Sequence, residues 1–333
     1  MTHDAPSYAT FLFDLCQQEH VSDLHLEPFQ ENYRIRLRID GLLKVLHIVP
    51  SGLAQSLIHH FKTLANRDIT ENRRPQEGRI QGHIRLSLCP SAGGEKCVLR
   101  FLQAPDSALS LEKLPFLPEQ REAVLKSLAK PQGLILVTGP TGSGKTQTLY
   151  SMLNHLNTST KHLASIEDPI EMPLSGIVQT EVNIELGLDF SDLLRTLLRQ
   201  DPDILMIGEI RDEKTAKLSL KAAQTGHLVL ATLHTNSALE SLFRLENLGV
   251  DSFSLANNLS LVIAQRLLRL KIAPGCFQGR RAIFEVLALN DEIRKNFLAH
   301  QTIPRTWISL REHGLKLVQE NLSSLEELDR VCV

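Results

Sequence analysis

The stretch LVTGPTGSGKTQTLY, residues 136–150, decides the fold of the larger part of this chain. Within it, one run of residues fits the phosphate-loop pattern GxxxxGK[ST] at every fixed position. That run consists of Gly139, Pro140, Thr141, Gly142, Ser143, Gly144, Lys145 and Thr146. Apolar residues precede it and a helical pattern follows it, so the glycines lie where a buried strand passes into a helix. This context favours a phosphate-binding loop over the alternative, a glycine-rich structural turn.

Each part of such a loop has a chemical task. Backbone N–H groups of the glycine-rich turn and of the helix N-terminus surround the phosphates of a nucleotide. Lys145 reaches the outer phosphates, and the Thr146 hydroxyl is a ligand for Mg²⁺. The sequence therefore predicts that the chain binds a nucleoside triphosphate, taken to be ATP, together with Mg²⁺.

Strand and helix patterns alternate along the second part of the chain. Repeated βα units of this length predict a parallel sheet covered by helices. The predicted strands are 134–138, 162–166, 203–207 and 228–233, and the predicted helices are 119–129, 145–156, 190–199 and 213–224. We therefore assign residues 118–333 to an α/β domain that ends in a helical region, with a helix-like tail over 305–330.

A different pattern fills residues 1–104. Residues 33–39 alternate apolar side chains with arginines, which is typical of a half-buried strand, and Asp40-Gly41 then forms a hairpin turn. Helices are predicted over 6–20 and 51–65, and strands over 33–39, 42–49, 79–88 and 96–102. These elements predict a smaller α+β domain, and the prolines after it predict a linker over 105–117.

Polar residues follow the predicted parallel strands at their carboxyl ends, the edge at which such sheets bind ligands. Glu167, Glu209 and His234 each come directly after, or one residue beyond, one of these strands. Any one of them alone is equally well explained as a solvated strand end or a helix cap. Beside a phosphate loop, the three together predict a hydrolytic site.

The acid after strand 203–207 departs from the usual Walker B pattern, because Gly208 precedes it. A glutamate displaced in this way, Glu209, is suited to polarise the attacking water while Thr146 and waters hold Mg²⁺. Glu167 is expected to assist as a second carboxylate near the terminal phosphate. His234 is expected to sense the nucleotide state or to bridge to another subunit, whereas His227 either shares such a role or caps a helix.

Composition limits the remaining function classes. With 333 residues, 42% of them hydrophobic, the chain can bury two cores without disulfides or metals. A formal charge of −2 argues against a direct nucleic-acid partner, and the arginines of strand 33–39 are interpreted as a solvated or inter-domain face. Five cysteines without a CxxC pair predict reduced thiols and no zinc. The sequence has no signal-peptide pattern and no apolar run of about 18 to 20 residues, which predicts a cytoplasmic protein.

Four segments, in this order, resemble the motifs of the secretion ATPase superfamily. They are GPTGSGKT (139–146), SIEDPIE (165–171), LRQDPDILMIGEIRD (198–212) and TGHLVLATLHTN (225–236), which look like its Walker A, aspartate box, atypical Walker B and histidine box. The segments SDLHLEP (22–28), YRIRLRIDGLL (33–43) and RPQEGRI (74–80) resemble the assembly-type ATPases of type II secretion, type IV pilus and competence systems. The resemblance covers about residues 6–320.

The resemblance implies a RecA-like P-loop ATPase domain preceded by a PAS-like α+β domain, assembled as a homohexamer. It implies that Arg79 and Arg85 complete the ATP site from the first domain, where they stabilise charge in the transition state. Both arginines fall on the polar face of predicted strand 79–88, with Gln81 and His83, and a solvated strand face is the alternative. It further implies a motor, peripheral to the inner membrane through a platform protein, that adds pilin or pseudopilin subunits.

The sequence departs from this family in three places. It begins at the helix before SDLHLEP, so the additional N-terminal docking domain of many assembly ATPases is expected to be absent. The tetracysteine zinc insertion is missing between Arg266 and Phe277, and Cys276 alone cannot supply four ligands. Gln147 replaces the usual threonine after GKT, with little expected effect on Mg²⁺ binding.

Other functions stay open beside an ATP-hydrolysing motor: a translocase acting directly on DNA, a scaffold that binds nucleotide without hydrolysing it, and a small-molecule kinase. The near-neutral charge disfavours the translocase. The scaffold is disfavoured because the candidate site is intact, with Lys145, Thr146, Glu167, Glu209, Arg79 and Arg85. The kinase is disfavoured because the sequence offers no recognisable acceptor site or lid.

Overall fold

Two compact units make up the protein, Met1–Pro105 and Asp106–Val333. The structure is a computed structural model that describes residues 4–102 and 109–332. Each unit has its own hydrophobic core. The beginning of the predicted linker, residues 105–108, lies outside the described residues.

The first unit is an antiparallel sheet with two helices packed on one face. Its elements are α1 (Ala5–Gln18), β1 (Asp23–Phe29), β2 (Asn32–Ile39), β3 (Leu42–Pro50), α2 (Ser51–Leu64), β4 (Gln76–Ile80), β5 (Ile84–Ser91) and β6 (Gly94–Phe101). The strand order is β3-β2-β1-β6-β5-β4. Side chains alternate between the two faces, so Leu24, Leu26 and Leu86 are buried in the core that the helices cover. The predicted α+β character of this part is therefore present, and its PAS-like nature stays a prediction.

The prediction of a single strand over 79–88 is wrong. Gln81 and Gly82 have φ angles of 51° and 74°, which reverse the chain and split the segment into the hairpin of β4 and β5. Gln81 and His83 consequently lie in or beside the turn and do not extend a polar strand face. Arg79 and Arg85 instead lie directly opposite each other on the paired strands.

The arginines of β2 lie on the open face of the same sheet and pair with an acid of β1. Arg34 Nη2 and Arg36 Nη2 each donate to the Glu27 carboxylate at 3.0 Å. Burial raises the pKa of Glu27, but the hydrogen bonds from both arginines outweigh it, so this pKa lies below its ordinary value. The arginine stripe is thus at least partly neutralised within the sheet itself.

The second unit is a mostly parallel sheet with helices on both faces, as the α/β prediction requires. Its elements are α3 (Pro118–Leu128), β7 (Gly133–Thr138), α4 (Lys145–Leu156), β8 (Leu163–Glu167), β9 (Val178–Glu181), α5 (Phe190–Leu197), β10 (Ile204–Ile207), α6 (Glu213–Gln224), β11 (Leu228–Leu233), α7 (Glu240–Asn247), α8 (Ser252–Asn258), β12 (Leu259–Ala273), β13 (Cys276–Ala288), α9 (Asp291–Leu298), α10 (Leu310–Gln319) and α11 (Leu325–Val331). The strand order is β13-β12-β7-β11-β10-β8-β9, with β13 antiparallel to β12. The predicted fold class is confirmed.

Both faces of this sheet are buried, which explains the continuous apolar runs in its strands. On β7, Leu134 and Leu136 belong to one core cluster, whereas Ile135 and Val137 belong to the cluster on the opposite face. The strands β12 and β13 are absent from the sequence-based prediction. Because β12 lies beside β7, these strands place distant residues next to the phosphate loop.

Residues 109–117, predicted as part of the linker, pack on the core of the second unit. Leu111, Leu114 and Phe116 are buried there, and the Phe116 ring stacks on Phe284 with centroids 4.0 Å apart. Within residues 4–102 and 109–332, no helix combines the length and the apolar character needed to cross a bilayer.

Candidate functional site

The loops after four neighbouring strands meet at one edge of the second sheet. The strands β7, β11, β10 and β8 are adjacent and parallel, so their carboxyl ends lie side by side. These ends carry the phosphate loop, His234, Glu209 and Glu167 respectively. The structure thus brings the sequence-predicted residues of this unit to a single edge.

Two glycines of the phosphate loop are required by their conformation and by close packing. Gly139 has a φ angle of 148° and Gly144 one of 87°, values that favour glycine. A Cβ atom would lie 2.5 Å from Gln265 O at Gly139, and 2.8 Å from Gln265 Nε2 at Gly144. The loop is therefore pressed against β12, and helix α4 begins directly after it, with its first N–H groups at the loop.

Lys145 is folded back onto the loop. Its Nζ donates to Gly139 O at 2.7 Å and to Pro140 O at 3.1 Å. Burial lowers the pKa of Lys145 to about 8, with the charge of Glu209 opposing this shift and that of Arg266 adding to it. A bound phosphate would replace the two carbonyl oxygens as the partner of the ammonium group.

Glu209 lies one residue beyond β10 because Gly208 still belongs to the sheet ladder. Gly208 N–H donates to Ile166 O at 2.7 Å, and Thr232 Oγ1 donates to Gly208 O from the other side. A Cβ atom at Gly208 would lie 3.1 Å from Ile166 O, which makes any side chain there tight. Because glycine has no side chain, β10 can stay between β8 and β11 up to its last residue, and Glu209 then follows at the sheet edge.

The Glu209 carboxylate is held between two bases. Its Oε1 lies 2.9 Å from His234 Nε2, and its Oε2 accepts a hydrogen bond from Arg211 Nε at 2.7 Å. Burial and the nearby charge of Lys145 lower the pKa of His234, and Glu209 partly opposes them. The imidazole is therefore mostly neutral at neutral pH, and Nε2 can donate to the carboxylate when it carries the proton.

Glu167 is placed differently from Glu209. It is 3% exposed, and its carboxylate accepts hydrogen bonds from Tyr150, from Ser165 Oγ at 2.7 Å and from Gln179 Nε2 at 3.0 Å. Burial and the adjacent carboxylate raise the pKa of Tyr150, so this hydroxyl remains a donor. Both oxygens of Glu167 are thus engaged by protein groups, and its role near a terminal phosphate stays a prediction.

Arg79 and Arg85 belong to the first unit, where the β4–β5 hairpin sets them side by side. Arg85 Nη2 lies 2.7 Å from Glu77 Oε2 at the surface of that unit. Their assignment to an ATP site stays a prediction. His227 matches the capping interpretation, because its Nδ1 bonds to Ala222 O in the last turn of α6 at 3.0 Å.

A cavity of about 560 Å³ opens beside the first turn of α4. Its lining includes Phe116, Gln147, Thr148, Leu267 and Arg280. The rest of the lining includes several charged side chains, namely Glu112, Lys113, Arg121 and Arg281.

Mg²⁺ fits the residues at the loop. The ion keeps most of its ligands as water and phosphate oxygens, and needs only one or two protein ligands. Thr146 lies exposed on the first turn of α4, directly after the glycine-rich part of the loop. Among residues 4–102 and 109–332, no cluster of three histidine, cysteine or acidic side chains could hold a metal by itself. The expectation that zinc is absent stays a prediction.

Sequence reasoning missed several residues that shape the site. Arg211 bonds Glu209 and also lies 3.6 Å from Asp168 Oδ2, and its position two residues after Glu209 was the available signal. Gln265 joins Ser143 O to Thr148 Oγ1 through bonds of 2.7 Å each. Gln265 lies far from the phosphate loop along the chain, so no local sequence pattern connects it with the site.

Comparison with known proteins agrees with the geometry. A family model described as Type II/IV secretion system protein matches residues 10–330. The protein transport protein HofB homolog of Escherichia coli (strain K12) is 43% identical over an alignment 361 positions long, covering 94% of this chain and 78% of that protein. The type IV pilus assembly ATPase PilB of Acinetobacter baylyi is 41% identical, covering 93% of this chain and 63% of that protein. A crystal structure of the pilus retraction motor PilT with bound ADP superposes with a TM-score of 0.70 at 28% identity, covering 96% of this chain and 95% of that one.

These similarities extend over both units of the chain and include the four motifs around the sheet edge. The resemblance to secretion ATPases that the motifs indicated is confirmed. The chain belongs to the family of type II/IV secretion system proteins.

Proposed function

We propose that this protein is an ATPase motor that powers the assembly of a pilus, pseudopilus or competence filament. It works as a homohexamer, on the cytoplasmic side of the inner membrane, against a platform protein. The observation that carries the proposal is the Glu209 carboxylate, oriented by His234 and Arg211 at the sheet edge that also holds the phosphate loop.

The residues at this edge divide the work of hydrolysis. The loop N–H groups and Lys145 bind the phosphates, and Thr146 would hold Mg²⁺, which would supply positive charge to the phosphates when bound. Glu209 polarises the attacking water, and His234 and Arg211 hold its carboxylate in one orientation. Such positioning matters because phosphoryl transfer depends on alignment and electrostatics more than on covalent help from the protein.

The cavity beside α4 is proposed to take the base and ribose. It begins at Gln147 and Thr148, one turn from the phosphate loop, so a nucleotide can extend from the loop into it. The volume of about 560 Å³ lies within the range of small-ligand pockets. The PilT structure with ADP supports nucleotide binding by a chain of this fold.

Arg79 and Arg85 are proposed to complete the ATP site from the first unit. Two arginines on directly opposed strand positions would be able to face one phosphate group together, and Arg85 would then exchange its ion pair with Glu77 for that phosphate. A site closed by two units converts the state of the nucleotide into a movement between them. Glu167 is proposed to assist from its buried network with Tyr150.

The partners on which the motor acts are proposed from the names of the relatives. The HofB homolog is named as a protein transport protein and PilB as a type IV pilus assembly ATPase. A platform protein is therefore the proposed direct partner, pilin or pseudopilin the indirect one, and nucleic acid is not proposed.

The test is ATP turnover by the purified protein and by Glu209→Gln. Wild type is expected to release phosphate from Mg-ATP, whereas Glu209→Gln retains ATP binding and loses at least about a hundredfold in kcat. Lys145→Ala is the control that loses binding as well. Normal turnover by Glu209→Gln would remove Glu209 from its role, and absence of turnover in the wild type would favour the scaffold. Stimulation by DNA at low salt would favour the translocase.

A further inference from the structure

The turn after β11 carries His234, and its backbone is held from the far side of the phosphate loop. Arg266, on β12, is 8% exposed, and its Nη2 donates to Asn236 O at 3.0 Å. Its Nη1 donates to Gln265 O at 3.0 Å, in the strand that presses on the loop. One buried guanidinium therefore joins the wall of the phosphate loop to the turn that carries His234.

A second buried charge holds the same turn two residues further on. Glu285, on β13, is 6% exposed, and its Oε1 accepts a hydrogen bond from Ala238 N–H at 3.0 Å. The same carboxylate accepts bonds from Trp307 Nε1 and from Leu310 N–H, at 3.3 Å each. Leu310 begins α10, so the C-terminal helices are tied to the group that holds the turn.

Hydrogen bonds from a buried charge to backbone groups are short-ranged, directional and stronger than neutral ones. A buried guanidinium or carboxylate is costly in free energy unless its hydrogen bonds are made. A shift of the turn would break these hydrogen bonds, so that free-energy cost opposes the shift. Because β12 and β13 lie on one side of β7 while Glu209 follows β10 on the other, the turn is fixed from the side opposite to Glu209.

We propose that Arg266 and Glu285 are positioning residues that fix turn 235–238 and thereby hold His234 Nε2 against the Glu209 carboxylate. The inference rests on the proposed ATP hydrolysis. Neither residue contacts the nucleotide in this role: both act through the backbone of the turn. Trp307 and α10 share the carboxylate, so the C-terminal region is mechanically part of the same support.

Three variants distinguish a positioning role of Glu285 from a role in stability alone. Glu285→Leu keeps the size of the side chain but removes the acceptor for Ala238 N–H. Glu285→Gln keeps one carbonyl oxygen for that bond and serves as the conservative rescue. Glu327→Leu is the matched control, because Glu327 is another buried carboxylate of this unit, 2% exposed, and is bonded to Arg269 and Arg330.

Steady-state ATP turnover is measured at a temperature at which all variants are folded. Glu285→Leu is expected to lower kcat about tenfold with little change in the KM for ATP, because only the orientation of Glu209 and His234 is lost. Glu285→Gln is expected to stay near the wild type. Glu327→Leu is expected to lose stability but to keep the kcat of the wild type.

Hydrogen exchange provides a readout that does not need activity. Peptides covering residues 234–241 are expected to exchange faster in Glu285→Leu than in the wild type, and at the rate of the wild type in Glu285→Gln and Glu327→Leu. A folded Glu285→Leu with normal kcat and normal exchange overturns the inference, as does an equal loss of kcat in Glu327→Leu.

A second route covers the case in which Glu285→Leu does not fold. Arg266→Met removes the bonds to Asn236 and is expected to give the same fall in kcat and the same faster exchange, and wild-type values in both measurements overturn the proposal. If the wild type itself fails to hydrolyse ATP, the proposed function fails, whereas the exchange data still decide whether these residues hold the turn.

Discussion

Lys145 is expected to make ATP binding weaken as the pH rises above neutrality. Burial brings the pKa of Lys145 to about 8 in the free protein, so its ammonium form is about 90% populated at pH 7 and about 10% at pH 9. The triphosphate binds the charged form, which replaces its contacts with Gly139 O and Pro140 O by phosphate oxygens. Binding therefore raises the pKa of Lys145.

The size of the effect follows from these populations. The apparent Kd is the intrinsic value divided by the competent fraction, so it should rise about tenfold between pH 7 and pH 9. The direction of proton exchange follows as well. Because binding raises the pKa of Lys145, formation of the complex above pH 8 takes up a proton from solution. In the free protein His234 is mostly uncharged over this window, since burial and the charge of Lys145 keep its pKa below the ordinary 6.5. The terminal phosphate titrates near pH 6, as phosphate monoesters do, and is also constant here.

Titration calorimetry with a non-hydrolysable ATP analogue and Mg²⁺ measures both quantities. Repeating it at pH 7, 8 and 9, in buffers with different ionisation enthalpies, gives Kd and the number of protons taken up. Lys145→Arg keeps its charge over this range and is expected to show no such pH dependence. A wild-type Kd that stays within about twofold from pH 7 to pH 9, or proton release on binding, would refute the reasoning.

Three further predictions concern packing around the site. Gly139→Ala brings a Cβ to 2.5 Å from Gln265 O and should weaken nucleotide binding at least about tenfold by the same calorimetry, whereas Gly187→Ala, with a positive φ but open space around it, should not. Tyr150→Phe removes a donor to the buried Glu167 and should lower the free energy of unfolding by about 1–3 kcal/mol in a urea titration; an unchanged midpoint would contradict the buried bond. Phe116→Ala should cost about 3 kcal/mol in the same assay, because its ring stacks on Phe284, and a cost near zero would mean that residues 109–117 are only a linker.

Most of the fold of the second unit could be predicted from local sequence patterns. The strand over 228–233 and the helices over 145–156 and 213–224 have the predicted bounds, because each is encoded by apolar periodicity and by capping residues within a few positions. The same locality explains why strand ends could be located and why Glu209 and His234 were singled out. The prediction of a single strand over 79–88 was wrong because the turn depends on a positive φ angle at Gln81. For glutamine, no strong sequence signal indicates that conformation.

Sequence by itself determined which residues meet at the candidate site: the phosphate loop, Glu209 and His234 follow one another in βα units, and parallel strands must bring their carboxyl ends to one edge. Only the tertiary structure decided how these residues are held. Gln265, Arg266 and Glu285 come from strands far along the chain, and they act on the loop and on turn 235–238 because β12 takes the place beside β7. Pairing between strands distant in sequence depends on packing and backbone hydrogen bonds of the complete sheet, which no short stretch of residues encodes.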